Sequence, residues 1–293
     1  MRYVLENDTL RVEIDSFGAE LKSVKRKSDD KEYMWYADKK YWGRTSPVLF
    51  PFVGNCRNKE YRYGGKTYAI GQHGFARDME HTMESRTEDT IWFSLHSNEE
   101  TMEKYPFAFV LKIGYNLTGN ELKVMWKVEN PDTKTLYFSI GAHPAFLCPF
   151  NGEENKLGYG LQFAGLKEVH HHGNTSDTGL AVMSEDIVIP LEDEKVYFTP
   201  GFFDRCTYMV EGKQTGEVSL VTPDGKPYVT MDFDAPLFAI WSPEGKDAPF
   251  VCIEPWYGRC DADDFEGTLE ERAYENAVEP EQAFEASYSI RYL

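Results

Sequence analysis

Two histidines and one glutamate stand in short segments that could carry proton-transfer chemistry. The first segment, GQHGFARD, has His73 between two glycines and Arg77 four residues later. Glycines on both sides free the backbone, so we predict a loop, and loops on a rigid scaffold often carry binding groups. The alternative is an ordinary turn with a surface histidine and a salt-bridged arginine.

The second segment, SIGAHPAF, has His143 directly after a predicted strand. Pro144 disfavours helical backbone at the preceding residue, so we expect His143 to be extended and to project its imidazole from the strand end. A histidine there could give or accept a proton near neutral pH. The alternative is a core histidine whose hydrogen bonds are all made.

The third segment, PFVCIEPWYG, ends an apolar strand with Glu254. A buried carboxylate costs free energy unless it is paired or functional, and burial raises its pKa, which suits a general base. Trp256 and Tyr257 could stack on the apolar face of a sugar ring. The alternative is that Glu254 pairs with Arg259 while the aromatic side chains fill the core.

Other kinds of chemistry find little support in the residues. His170, His171 and His172 are adjacent and could not all reach one ion from a strand, so we predict a solvated loop and no metal. The nucleotide-binding patterns GxxxxGKS/T and GxGxxG and the serine-hydrolase pattern GxSxG do not occur. The cysteines lack a CxxC pair, which fits reduced thiols. They are Cys56, Cys148, Cys206, Cys252 and Cys260.

The composition restricts the partners. The chain has 293 residues, with 31 Lys and Arg against 49 Asp and Glu, and a formal net charge of −18 at pH 7. A surface of that sign repels nucleic-acid phosphates and anionic lipids, so we predict neither as a partner. It fits an uncharged small substrate. No apolar run approaches the roughly 18 residues that a membrane span needs, and we predict a cytoplasmic protein.

The elements that would position these residues are mostly strands. Apolar and polar residues alternate through Leu10–Ile14, and Tyr61–Ala69 has two central glycines, as in a hairpin. Similar strands, with turn residues between them, predict a large antiparallel β-sandwich in a single domain, residues 1–293. The further predicted strands are Ile91–Leu95, Phe107–Tyr115, Leu122–Val128, Leu136–Ile140, Tyr228–Phe233, Leu237–Trp241, Phe250–Ile253 and Ser287–Tyr292.

Three segments depart from the strand pattern. Thr268–Ala277 has helical periodicity and is predicted to be a helix. Met102–Tyr105 is predicted to form a single helical turn. Gly165–Glu194, which is rich in Glu, Asp, Ser and His, is predicted to be a long loop at a sheet edge.

Together, these segments resemble the galactose mutarotase-like (aldose 1-epimerase) family, in particular its LacX-type branch. The likeness runs through LRVEIDSFGAELKSV, SPVLFPFVGN, GQHGFARD, IGAHPAF, FVCIEPWYG and the C-terminal FEASYSIRYL. Each motif alone is unspecific, but their order and spacing match the family. The resemblance implies an all-β antiparallel β-supersandwich with few short helices and a sugar cleft on a sheet face.

The resemblance also implies an activity and the residues that perform it. The expected reaction interconverts the α and β anomers of an aldose and needs no cofactor. The family's catalytic glutamate falls on Glu254, its acid histidine on His143 and a second active-site histidine on His73.

The expected sugar contacts match the family less closely. The arginine that grips sugar hydroxyls in galactose mutarotases is expected after the glycine of FPFVG, where this chain has Asn55, with Arg57 two residues later. The family's substrate-binding aspartate is matched loosely by Asp204 in GFFDRC. Arg77 and Trp256 complete the predicted sugar-binding set.

Two alternatives stay open. A hexose-6-phosphate 1-epimerase would need a cationic pocket, for which Arg44, Arg57 and Arg77 are the candidates. A non-catalytic carbohydrate-binding protein on the same fold would not need an acid–base pair. The range 254–285 has eleven acidic residues against two arginines, a negative field that favours neutral sugars over phosphosugars. We expect a monomer or a homodimer.

Overall fold

The computed structural model describes residues 1–205 and 207–293; Cys206, one of the thiols predicted to be reduced, lies outside the described residues. In the described ranges the first strands are β1 (Arg2–Glu6), β2 (Leu10–Asp15), β3 (Glu20–Arg26), β4 (Lys31–Glu32), β5 (Val48–Leu49), β6 (Glu60–Tyr63), β7 (Lys66–Ala69), β8 (Thr82–Arg86), β9 (Thr90–His96), β10 (Val110–Thr118), β11 (Glu121–Glu129), β12 (Leu136–Phe138) and β13 (Ile140–Ala142).

The second half of the chain continues the same pattern. Its strands are β14 (Ala145–Leu147), β15 (Gly160–Phe163), β16 (Glu168–Asn174), β17 (Ala181–Pro190), β18 (Lys195–Tyr197), β19 (Tyr208–Glu211), β20 (Glu217–Val221), β21 (Pro227–Phe233), β22 (Leu237–Trp241), β23 (Phe250–Tyr257), β24 (Asn276–Val278) and β25 (Ala283–Tyr292). The helical elements are α1 (Glu99–Lys104) and the 3-10 turns Arg57–Lys59, Ala76–Asp78 and Leu269–Glu271.

Two large sheets of antiparallel strands pack against each other. One has the strand order β18-β15-β20-β21-β25-β11-β10-β9-β8, and the other has the order β17-β16-β19-β22-β23-β13-β5 with β14 also paired to β23. Aromatic side chains meet between them: the ring centroids of Trp126 and Tyr257 are 6.3 Å apart, and those of Phe163 and Phe238 are 6.2 Å apart. The predicted antiparallel β-sandwich is confirmed. In the described part of the chain, no helix has the length and apolar character to cross a bilayer.

The predicted helix at Thr268–Ala277 is wrong. Only a 3-10 turn, Leu269–Glu271, forms there, and the chain then enters β24. Thr268 and Glu271 make a capping box, but the helix does not continue, because Arg272 turns inward to a buried carboxylate of Asp261, 2.7 Å away. Tertiary ion pairing therefore overrides the local helical pattern.

The predicted loop at Gly165–Glu194 is also wrong in most of its length, because β16 and β17 lie there, at the edge of the second sheet. The sequence hides β17 because three consecutive polar residues, Ser184, Glu185 and Asp186, interrupt its apolar residues, so the usual alternation is weak. The three adjacent histidines belong to β16 instead of a loop. His171 is buried, while His170 lies beside the carboxylates of Glu168 and Asp186.

Candidate active site

Strand β23 places Glu254 on the face of its sheet that points away from the sandwich core. Alternation along the strand sends Val251 and Ile253 into the main core, and Cys252 and Glu254 to the opposite face. Glu254 is only 1% exposed, and this burial raises the pKa of its carboxyl well above the ordinary 4.5. Its Oε2 atom makes no hydrogen bond within the described residues.

His143 follows β13 and faces Glu254. Its Nε2 lies 3.4 Å from Glu254 Oε2. Trp42 stacks on the imidazole, with centroids 4.6 Å apart at an interplanar angle of 27°, and Trp241 meets it edge-on. Burial, together with the positive charge of Arg77, lowers the pKa of His143 to about 3. Its Nδ1 is buried without a hydrogen-bond partner among the described residues, so the alternative of a satisfied core histidine does not hold.

Both members of this pair are pushed by burial toward their uncharged forms. Burial therefore favours a protonated Glu254 carboxyl beside a neutral His143 imidazole. Movement of the carboxyl proton to His143, whose Nε2 lies 3.4 Å from Glu254 Oε2, would give a carboxylate and an imidazolium side by side. A neutral substrate that offers a hydroxyl to one group and an ether oxygen to the other could then use both in the same step.

His73 is held by the backbone of Gly54. The backbone N–H of Gly54 donates to His73 Nδ1 (3.0 Å), and the backbone N–H of His73 donates to Gly54 O (2.8 Å). Because Nδ1 accepts a hydrogen bond, the ring proton is assigned to Nε2, which is left to donate. His73 has a φ of 63°, and a Cβ on the following Gly74 would lie 2.3 Å from Phe50 O, so the loop needs that glycine.

The electrostatics of His73 also keep it neutral. Its ring centroid lies 5.7 Å from that of His143. Burial, and after it the positive charge of Arg77, lower the pKa of His73 well below 6.5. A neutral histidine with its proton on Nε2 can donate a hydrogen bond to an oxygen atom of a bound ligand.

A cleft of about 430 Å³ brings these three residues together with others from distant parts of the chain. That volume is within the range of small-molecule sites. Of the predicted sugar contacts, Asn55, Arg77 and Trp256 line it. The other polar and aromatic residues of its lining are Trp42, Gln72, Asn174, Ser176, Asp177, Thr178, Thr207, Trp241 and Glu244.

Two predicted contacts lie elsewhere. Arg57 lines a separate cavity and pairs with Glu266 (3.3 Å). Asp204 lines a third cavity, where it accepts the N–H of Gly245 (3.2 Å). Within the described residues, neither is among those that line the cleft with Glu254.

The alternative pairing of Glu254 with Arg259 is not formed. Arg259 Nε lies 2.8 Å from Glu211 Oε1 instead. Within the described residues, Glu254 Oε2 therefore has no arginine partner and lies beside His143.

The sequence reasoning missed Trp42, Trp241 and the loop that follows β16. Trp241 ends a correctly predicted strand, which was the available signal for it. Trp42 lies outside the named strands and helices of the described chain, and the β16–β17 loop was hidden in a segment with no strand prediction.

One cluster has the residue types of a metal site. The possible ligand atoms of His143, Cys252 and Glu254 lie within 4.8 Å of one another. Burial holds the pKa of the Cys252 thiol well above 9.0, so the thiolate that a metal prefers is disfavoured. The absence of a metal stays a prediction.

Comparison with known proteins gives consistent matches. The family model described as aldose 1-epimerase matches residues 1–261. The chromosomally encoded LacX protein of Lactococcus lactis subsp. lactis is 30% identical over 300 residues, covering 100% of both chains. A galactose mutarotase related enzyme from Lactobacillus acidophilus is 37% identical, with a TM-score of 0.94 over 100% of this chain and 97% of that one. A galactose mutarotase-like protein from Lactobacillus casei is 29% identical, with a TM-score of 0.91 over the full length of both.

Proposed function

Because this chain belongs to the aldose 1-epimerase family and is an isomerase of that kind, we propose that it interconverts the α and β anomers of a free aldose by acid–base opening of the sugar ring. The observation that carries the proposal is the buried pair of Glu254 and His143, 3.4 Å apart in a cleft of small-molecule size.

The proposed reaction moves two protons. Glu254 takes the proton of the C1 hydroxyl while His143 gives a proton to the ring oxygen; the bond between C1 and the ring oxygen breaks, and an open-chain aldehyde forms. Rotation about C1–C2 and closure with the roles reversed give the other anomer. Each positioned proton transfer typically contributes roughly 10²–10⁴-fold, and holding acid and base across one substrate removes the cost of assembling them.

The surrounding residues are proposed to bind and orient the sugar. His73 would donate its Nε2 proton to the ring oxygen or to a neighbouring hydroxyl. Trp256 is a buried residue of the cleft lining, and its indole N–H donates to Ala142 O (3.3 Å). No electron or group transfer occurs in this reaction, so it requires no cofactor.

The arrangement of the arginines favours a free sugar over a phosphosugar. Of the three candidates for a phosphate site, only Arg77 is among the residues that line the cleft in the described structure. Arg44 binds Asp78 (2.8 Å), and Arg57 lies in another cavity. Asp177 and Glu244 add carboxylates to the cleft wall, which would repel a phosphate.

The proposal is tested by polarimetry of freshly dissolved α-glucose and α-galactose. We expect the protein to speed their equilibration and Glu254→Gln, which cannot accept the proton, to lower kcat by roughly 10²–10⁴-fold. Glu88→Gln, at an exposed glutamate that is not among the residues lining the cleft, should keep full activity. Equal rates for wild type and Glu254→Gln on a panel of free and phosphorylated aldoses would reject the epimerase mechanism.

A further inference from the structure

The loop between β16 and β17, which we call the wall loop (residues 175–180), forms one side of the cleft. Its ends are anchored: Asn174 accepts the N–H of Thr207 (2.7 Å), and the N–H of Ala181 donates to Asp261 O (2.9 Å). Ser176, Asp177, Thr178 and Gly179 at its tip all line the cleft.

The tip of the wall loop is connected to the opposite segment through Asn55. The side-chain amide Nδ2 of Asn55 donates to Thr178 O (2.8 Å). In the described part of the chain, no other hydrogen bond joins residues 176–179 to a residue outside the loop. Most of the loop's other bonds are internal, such as Gly179 N–H to Thr175 O (2.9 Å).

A second observation points to the same contact. Gly179 has a φ of +66°, and a Cβ on it would lie 2.8 Å from Asn55 Nδ2. The wall loop therefore approaches the Asn55 side chain so closely that a larger residue at position 179 would displace one of the two.

The backbone of Asn55 is fixed independently of this contact. Asn55 O accepts the N–H of Asp261 (3.0 Å), and the preceding Gly54 holds His73 through two hydrogen bonds. The Asn55 amide thus reaches the wall loop from the same rigid segment that orients a predicted catalytic histidine.

We infer that Asn55 is a positioning residue: its hydrogen bond to Thr178 O is a clasp that holds the wall loop in place beside the acid–base pair. This inference rests on the proposed function, because it assigns to the wall loop a share in holding the sugar. At the position where the resemblance implies a sugar-gripping arginine, this chain uses an amide to fix the cleft wall, and the wall supplies the sugar contacts.

The test is an equilibrium titration of the tryptophan fluorescence with glucose and galactose, since Trp42, Trp241 and Trp256 all line the cleft. Asn55→Asp keeps the shape of the side chain but removes the donor. We expect it to weaken sugar binding by about two- to tenfold, the equivalent of one hydrogen bond. In polarimetry, KM should rise by a similar factor while kcat stays within about twofold, because Glu254 and His143 are untouched.

A matched control separates the clasp from a general loss of stability. Asn7 Nδ2 donates to Gly119 O (2.9 Å), a bond of the same kind between two surface turns away from the cleft. Asn7→Asp should leave sugar affinity and KM unchanged. If both variants weaken binding equally, the clasp is rejected.

A double-mutant cycle adds a readout specific to the contact. Gly179→Ala should weaken binding in the wild type, since its new methyl group collides with the Asn55 amide. In the Asn55→Ala protein the same change should cost less, so the combined loss should be smaller than the product of the two single losses. A combined loss of sugar affinity equal to the product of the two single losses would overturn the inference.

The binding titration also separates the two proposals. If the wild type binds neither sugar, the proposed function fails and the clasp fails with it. If the wild type binds and Asn55→Asp binds equally well, the clasp alone fails.

Discussion

Single residues in the cleft are held in states that cost stability. Glu254 and His143 are almost fully buried, and each retains a polar atom with no hydrogen-bond partner among the described residues. Burial raises the pKa of Glu254 and lowers the pKa of His143, so each would be more easily ionised in the unfolded chain. Active sites commonly keep such groups because the chemistry needs them.

We therefore expect Glu254→Gln to stabilise the fold while it removes activity. The unfolded chain loses the Glu254 proton near pH 4.5, whereas the folded protein keeps it to higher pH because its pKa is raised. Wild-type stability should then fall as pH rises from 4.5 toward the folded-state pKa, and the glutamine variant, with no such proton to lose, should avoid that fall.

Urea denaturation at neutral and acidic pH measures this difference. The variant should be more stable by roughly 1 kcal/mol at neutral pH. This gain should vanish when the pH is below the pKa of an ordinary glutamate side chain. Glu88→Gln, at an exposed site, should show no such pH-dependent gain. A variant less stable than wild type at neutral pH would mean that Glu254 is held as a well-compensated carboxylate.

Among the elements, the segment after β23 is fixed by one buried arginine. Arg272 donates from Nε to Asp261 (2.7 Å), from Nη1 to Glu275 (2.9 Å) and from Nη2 to Arg259 O (2.8 Å). Asp261 in turn accepts the backbone N–H of Arg57 (2.8 Å). The arginine thus ties this segment to the loop that carries Gly54 and Asn55.

Replacing Arg272 by Met should lower the free energy of unfolding by about 3–5 kcal/mol, because it leaves two buried carboxylates without a cation. Arg291 is a matched control: it also binds two acids, Glu217 (2.9 Å) and Asp232 (2.6 Å), but is 35% exposed. Arg291→Met should cost less than about 1 kcal/mol in the same urea titrations. Similar losses for the two variants would contradict a special role for the buried network.

The elements also show what the sequence can and cannot predict. The strand before His143 was predictable because Leu136, Phe138 and Ile140 stand at every second position, and the strand of Glu254 was predictable from a short apolar run. The predicted end of that strand at Glu254 is wrong, because β23 continues to Tyr257. Trp42 and the wall loop were not predictable, because their place in the cleft depends on strand pairings between distant segments. The helix predicted at Thr268–Ala277 failed for the same reason: burial of Arg272 is a tertiary effect that local periodicity does not contain.

In the whole molecule, the charge and the cleft act in the same direction. The molecule has a net charge of −18. Apart from the proposed catalytic residues, the charged residues that line the cleft in the described chain are Asp177, Glu244 and Arg77. Arg77 donates to Gln72 O (2.7 Å), and burial lowers the pKa of its guanidinium to about 10. A neutral sugar meets no electrostatic barrier here, whereas a phosphosugar meets like charge on approach.

Salt should therefore separate the two substrate classes. The KM for glucose should not change with ionic strength, because the sugar is uncharged. With glucose 6-phosphate, kcat/KM should be lower at low salt and should improve as added salt screens the repulsion over about 10 Å at 0.1 M. Polarimetry of both sugars at two salt concentrations measures this.

The opposite result would indicate an attractive cationic site: glucose 6-phosphate would be preferred over glucose at low salt and would lose that preference when salt is added. Arg77→Met would then identify its source, since Arg77 is the arginine that lines the cleft in the described structure.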